Sequence, residues 1–107
     1  MPRANAVSRA LTEAGHRRTS VSRKVVHGWT VHYAGFRCSN MSWGAVRVEY
    51  EAGSEAHSMG KNQQEKTRRL FIRRYRAVLE AKYAVSETEN SFGRTVLVVR
   101  DRPMNSD

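Results

Sequence analysis

The chain has 107 residues, enough for one domain (1–107) with a single hydrophobic core. Its composition, 39% hydrophobic and 27% charged, is typical of a folded protein, and no apolar run approaches the ~20 residues of a membrane span. The 19 basic residues outnumber the 10 acidic ones, so the net charge of +9 favours polyanionic partners. No signal peptide is predicted, and we expect a cytoplasmic protein.

Residues 4–14 have the apolar spacing of a short helix. The apolar residues recur at i, i+3, i+4 and i+7: Val7, Ala10, Leu11 and Ala14. Gly15 suits the C-terminal end of this helix, where the basic residues Arg17 and Arg18 follow. These two arginines either complement the negative end of the helix dipole or contact phosphates.

Residues 16–27 form a basic segment without acidic residues, which we predict to be flexible. Its cations are Arg17, Arg18, Arg23 and Lys24. Serine and threonine at 19–22 favour a loop, whereas Val25 and Val26 favour the start of a strand, so both structures stay open. A mobile segment of this composition would suit an arm that becomes ordered on a partner.

Residues 28–52 have the alternation of an antiparallel strand meander. The predicted strands are Trp29–Ala34, Phe36–Cys38 and Ala45–Ala52, joined by turns at Ala34-Gly35 and Ser42-Trp43-Gly44. Trp43 lies in the second turn and is the tryptophan that we expect to be exposed. An exposed indole would suit a nucleobase or a protein contact, and the alternative is an indole that folds back over the edge of the core.

The segment Lys61–Tyr83, after a linker at 53–60, is predicted to be one long helix. Its apolar face holds Phe71, Ile72, Tyr75, Val78 and Leu79. We expect Arg69, Arg73 and Arg76 to form a row on the opposite face, flanked by Lys66 and Arg74. The helix should therefore cover a sheet and present positive charge to the outside.

The C-terminal part is predicted to be a β-hairpin, Tyr83–Glu89 and Arg94–Arg100, followed by a polar tail at 102–107. The run Thr95–Val99 is apolar after its first residue, which indicates a strand buried on both faces. The complete expectation is an α+β domain: a short N-terminal helix, an antiparallel strand meander, a long helix packed on the sheet and a C-terminal hairpin. The predicted core includes Leu11, Val31, Val48, Phe71, Val78, Leu79, Val96 and Val98.

The sequence contains no recognisable catalytic constellation. Cys38 is the one cysteine, and the four histidines do not have the spacing of zinc ligands. Glu49 and Glu51 share a strand face, which more often solvates a sheet than it supports acid–base chemistry. We therefore predict no catalytic residues, no metal site and no cofactor, and we expect that the protein is not an enzyme.

Several segments resemble small α+β proteins of actinobacteria and their phages. These segments are Ala6–Gly15, Gly28-Trp29, Gly35–Cys38, Val46–Tyr50 and Leu79–Val85. The resemblance implies the same architecture and a phage or mobile-element origin, and it carries over no functional residues. The order helix, strands, helix also resembles double-stranded-RNA-binding domains, although Lys61-Asn62-Gln63-Gln64 replaces their lysine-rich second-helix start and the closing hairpin is additional.

Two functional hypotheses follow from the charge pattern. The first is a nucleic-acid-binding accessory protein without strong sequence specificity. Its candidate residues are Arg17, Arg18, Arg23, Lys24, Lys66, Arg69, Arg73, Arg76 and Trp43. The alternative is a factor that binds an acidic surface of a host protein through the same arginine row. Arginine-rich composition also arises from GC-rich coding, so the charge by itself is weaker evidence for nucleic-acid binding. No membrane partner is expected, since the long helix uses its apolar face on the sheet.

Overall fold

The computed structural model describes residues 2–26 and 29–103, without the side chains of residues 22–26, 29, 55 and 57. Its helices and strands are α1 (Ala4–Glu13), β1 (Ser20–Val26), β2 (Trp29–Tyr33), β3 (Gly35–Asn40), β4 (Val46–Glu51), α2 (Lys61–Leu79), β5 (Ala84–Glu89) and β6 (Thr95–Arg100). Strands β3, β4, β6 and β5, in that order, form an antiparallel sheet, here called the main sheet. The predicted α+β class, with its long helix on the sheet and its C-terminal hairpin, is confirmed.

Helix α1 packs through the predicted apolar stripe, with Val7 and Leu11 fully buried. The helix ends at Glu13, and Gly15 adopts a φ of +92°, which glycine tolerates because it has no Cβ. The His16 N–H donates to the Leu11 carbonyl at 3.0 Å, the bond expected when a glycine in this conformation follows a helix. This ending turns His16 back towards the rest of the domain.

One cluster of buried side chains joins both helices to the main sheet. Its members are Val7, Leu11, Phe36, Val46, Val48, Ile72, Tyr75, Leu79, Leu97 and Val99. Phe71 and Val78, which we predicted in the core, are partly buried and pack against this cluster. The Phe71 ring also stacks on Tyr50, with 4.9 Å between ring centroids.

The strand β6 is buried on both faces, as its sequence predicts. Leu97 and Val99 face the helices, whereas Val96 and Val98 belong to the opposite face of the main sheet and are also buried. On that second face Val98 lies opposite Arg47 of β4, whose aliphatic stem can cover apolar surface while its charge reaches solvent.

The predicted meander is divided between two sheets. Among the described strands, β1 and β2 pair with each other and not with the main sheet, so Ala34-Gly35 carries the chain from this hairpin into the main sheet. The placement of Val31 in the core was wrong for this reason: Val31 lies in β2 and is half-buried outside the central cluster. Residues 20–26, for which both a loop and a strand were left open, form the strand β1. Just before this strand, Thr19 Oγ1 donates to the Tyr33 carbonyl at 2.9 Å.

Helix α2 ends at Leu79, four residues before the predicted end at Tyr83. The Tyr83 N–H donates to the Leu79 carbonyl at 2.8 Å, and this turn leads directly into β5. The predicted linker at 53–60 contains a short 3-10 helix, Ser54–Ser58. Of the predicted tail, Arg102 is exposed and donates to the Glu80 carbonyl, whereas 104–107 lie outside the described residues.

Candidate nucleic-acid interface

The outer side of α2 carries three of the nine predicted site residues: Lys66, Arg69 and Arg73. Arg68, Ile72, Tyr75 and Leu79, at i, i+4, i+7 and i+11, form the buried stripe against the sheet. The cationic face, defined here as Lys66, Arg69, Arg73 and Arg74, is exposed. Leu70, 41% exposed, lies among these cations. No acidic residue occurs between positions 66 and 76, so this part of the helix surface is continuously basic.

Arg76 does not belong to this exposed row, which corrects the prediction that it lies on the face opposite the sheet. It follows Ile72 by four residues and precedes Leu79 by three, so it borders the buried stripe and is half-buried. Its guanidinium bonds to Glu87 of β5 at 2.8 Å and to Glu80 one helical turn later. These two carboxylates raise the pKa of Arg76 above its usual value, and the arginine connects helix to sheet.

Arg69 and Arg73 line a cleft of about 250 Å³ between α2 and the C-terminal hairpin. Glu87 and Thr95 form the strand side of this cleft. Arg69 is held by Glu65, with 3.2 Å between Nε and Oε1. Arg73 makes no ion pair with a carboxylate among the described residues, so its charge is available to an anion.

The opposite border of the cationic face meets the loop that follows α1. The His16 ring packs edge-on against Tyr75, with 4.9 Å between centroids. Burial, and secondarily the charge of Arg74, lowers the pKa of His16, so this imidazole is neutral near pH 7. Arg74 itself lies over the Phe71 ring at 5.6 Å. The carbonyl of Arg17, the residue after His16, accepts the Phe36 N–H at 3.0 Å, so the backbone of this predicted site residue is bonded to β3.

The other residues of the N-terminal basic segment lie elsewhere. Arg18 pairs with Phe36 through the backbone and lines a separate cleft of about 360 Å³ together with Arg37 and Glu51. Arg37 and Glu51 form an ion pair of 3.3 Å, so acidic charge is present in that cleft. The side chains of Arg23 and Lys24 lie outside the described residues. The backbone at both Arg17 and Arg18 therefore pairs with Phe36 of β3 and not with α2.

Trp43 lies in the β3–β4 turn and is 92% exposed, which confirms the predicted exposure. Register places this turn near the C-terminal end of α2, because Val46 pairs with Val99 and Ala84 pairs with Arg100. Trp43 is therefore separated from the cleft at Arg73 along the length of the helix.

The buried Arg68 was missed at the sequence level. It is 6% exposed, and its Nη1 bonds to Glu65 at 3.0 Å. Its spacing of four residues from Ile72 and seven from Tyr75 was the available signal. A charged residue is normally predicted on the outer face, although a long arginine can be buried when a carboxylate reaches it.

The described residues contain no group of three or more metal-ligating side chains. Burial raises the pKa of the half-buried Cys38 thiol, against smaller opposing effects of Ser8 and Arg18, which fits a structural role. Among the described helices, none is long and apolar enough to cross a membrane. Comparisons of the chain with protein-family models, curated proteins and solved structures gave no match, so the predicted resemblance to actinobacterial and phage proteins stays a prediction.

Proposed function

We propose that the protein is a small accessory protein that binds the phosphate backbone of nucleic acids through the cationic face of α2. The observation that supports this proposal is the exposure of all four cations of that face on a helix without intervening acids. The cytoplasm is the compartment that the proposal requires, and binding rather than catalysis is the proposed activity.

The arrangement of charges favours an anionic partner over a purely structural role. Arg69 and Arg73 stand four residues apart, and Lys66 and Arg69 stand three apart, so like charges crowd one helix surface. Repulsion between like charges at this spacing destabilises an isolated helix by a few tenths of a kcal/mol. A phosphate backbone would relieve the repulsion and release counterions from the nucleic acid.

Arg73 is the central residue of the proposed interface. Its neighbour Glu87 could repel an anion, but Arg76 partly neutralises that carboxylate at 2.8 Å. The Thr95 hydroxyl on the strand side of the cleft offers a hydrogen-bond donor that phosphate oxygens accept. Arg76 thus supports the interface by occupying Glu87, without facing the ligand itself.

The test is binding of the Lys66→Gln/Arg73→Gln variant to duplex and single-stranded DNA and to RNA. Glutamine preserves helix propensity, and both replaced side chains are exposed and outside the core. The matched control is Arg9→Gln/Lys61→Gln, which removes the same charge from an exposed position of α1 and from the exposed first residue of α2, outside the cationic face. Arg76 is left unchanged because its loss would release Glu80 and Glu87.

We expect nucleic-acid binding to be weaker in Lys66→Gln/Arg73→Gln and unchanged in the control. For Lys66→Gln/Arg73→Gln, the slope of log K against log salt should shrink by roughly 0.9 for each lost duplex phosphate contact, measured between about 50 and 200 mM salt. Equal losses in both variants would mean that net charge alone attracts the ligand. Absence of any binding by the wild-type protein at low salt would refute the proposed function.

The exposed Leu70 supports the second candidate, an acidic protein partner. An apolar side chain within a basic surface is more useful to a protein interface than to a phosphate backbone. The Leu70→Gln variant separates the two functions, since it should leave nucleic-acid affinity unchanged and weaken binding to an acidic protein surface.

A further inference from the structure

The β3–β4 turn has an unusual backbone. Trp43 has φ +68° and ψ +25°, and Gly44 follows with φ +71°. The Met41 N–H donates to the Ala45 carbonyl at 2.8 Å and closes the turn. Two successive residues with positive φ are the pattern for which hairpins prefer Asn-Gly. A bulky side chain in the first of these positions is strained, because its Cβ approaches the backbone.

The fold gains little from tryptophan at this position. The side chain is 92% exposed, so it makes few contacts that could offset the backbone strain. Asparagine or glycine would form the same turn without the strain. A strained residue that contributes little packing is a reason to search for a role outside the folded chain.

The end of the domain that carries Trp43 has more cations than carboxylates. The Asn40 Oδ1 accepts the Ala4 N–H at 2.9 Å, which holds the start of α1 and the preceding Arg3 beside the turn. Strand register places Arg100 one residue beyond the Val46–Val99 pair, at the level of Ala45. The same end of the domain carries Lys82 and Arg102, against the acidic residues Glu80 and Asp101.

We propose that the Trp43 indole is a stacking platform for an unpaired nucleobase. This inference rests on the proposed function and adds a preference for single strands, because duplex bases are already stacked on their neighbours. An aromatic ring next to cations is the combination that single-strand-binding proteins use for bases and their flanking phosphates. Among the described residues near the turn, Met41 is the large apolar neighbour with substantial exposure, so the surface lacks the broad contact ring of a protein hot spot.

One strand could contact both surfaces. Arg73 precedes the end of α2 at Leu79 by six residues, roughly 9 Å of helix. The Trp43 turn lies beyond that end, since Ala84 of the following strand pairs with Arg100. A strand that follows the cationic face towards the C-terminus of α2 would therefore run towards the end of the main sheet that carries the indole.

The experiment measures Trp43 fluorescence and affinity with three ligands of about 12 nucleotides: an oligothymidine, an abasic strand of equal length and a duplex. The background variant Trp29→Phe makes Trp43 the sole tryptophan. The affinity series compares Trp43→Ala and Trp43→Phe with the control Phe92→Ala, which removes the 81% exposed aromatic of the other hairpin turn.

We expect oligothymidine to quench Trp43 and to bind more tightly than the abasic strand. Trp43→Ala should weaken oligothymidine binding by roughly fivefold or more. Trp43→Phe should restore much of that loss. Phe92→Ala should leave the affinity for oligothymidine unchanged, and Trp43→Ala should leave the affinity for the duplex unchanged. Circular dichroism spectra identical to wild type establish that the exposed-turn variants are folded.

Other outcomes separate this inference from the proposed function. The stacking inference is overturned if oligothymidine and the abasic strand bind with equal affinity and Trp43→Ala changes neither affinity. The proposed phosphate interface still stands in that case if Lys66→Gln/Arg73→Gln weakens binding. Absence of binding to all three ligands refutes both, and Trp43 would then belong to a protein contact.

Discussion

Two hairpin turns expose an aromatic side chain, and the β5–β6 turn is the conventional one. Phe92 is 81% exposed there. Asn90 Oδ1 accepts the backbone N–H groups of Phe92 and Arg94 at 2.9 and 3.0 Å. Gly93 alone takes the positive φ, +74°. Each special position of this turn is therefore occupied by a residue suited to it.

The β3–β4 turn departs from this pattern at one position. Gly44 is suited to its φ of +71°, but Trp43, at φ +68°, is not. The exposure of the two aromatic rings is similar, so exposure alone does not distinguish them. What distinguishes Trp43 is exposure together with backbone strain, and we interpret Phe92 as an ordinary exposed turn residue.

Asn90→Ala should have the largest effect on stability. The substitution removes the acceptor of two backbone N–H groups, and we expect a loss of about 1–2 kcal/mol in the free energy of unfolding, measured with urea. Asn90→Asp keeps an acceptor and should retain most of the stability. No change on Asn90→Ala would mean that water satisfies these groups equally well.

Gly93→Ala should cost roughly 1 kcal/mol, because an L-residue is strained at φ +74°. A Cβ at Gly93 would meet no atom within 4 Å, so the cost is conformational rather than steric. Gly60→Ala is the control, since a Cβ there also meets open space and φ is −67°, so that only the weaker preference of the α2 N-cap for glycine over alanine is lost. Equal effects of the two substitutions in urea unfolding would contradict the argument from φ.

Trp43→Asn should stabilise the domain by about 0.5–1 kcal/mol, because asparagine tolerates the left-handed conformation and little packing is lost. Trp43→Ala keeps the strain and should change stability less. Thermal and urea unfolding measure both. A clear destabilisation by Trp43→Asn would show that the indole packs on the chain, and the comparison of the two turns would fail.

Phe92→Ala should have the smallest effect, within about 0.5 kcal/mol of wild type, as expected for an exposed side chain without special backbone geometry. Its unfolding curve and its affinity for single strands should both match those of the wild-type protein. A loss of binding comparable to that of Trp43→Ala would assign function to exposure alone.

Much of the fold followed from local periodicity. The stripe containing Val7 and Leu11, the alternation along β4 and the unbroken apolar run of β6 each reflect the geometry of a single element. The exposure of Trp43 was also predicted, since it follows from a turn between two alternating segments. Its strain was not predicted, because φ depends on how the two strands are joined.

The amino-acid sequence by itself determined the element types, the apolar faces and the excess of positive charge. Only the tertiary structure decided which cations remain exposed: Glu87, eleven residues away on another element, binds Arg76 and leaves Arg73 beside the cleft. It also decided that β2 and β3 belong to different sheets and that Arg68 is buried. The physical reason is that periodicity describes one element, whereas ion pairs, strand partners and burial depend on how separate elements pack.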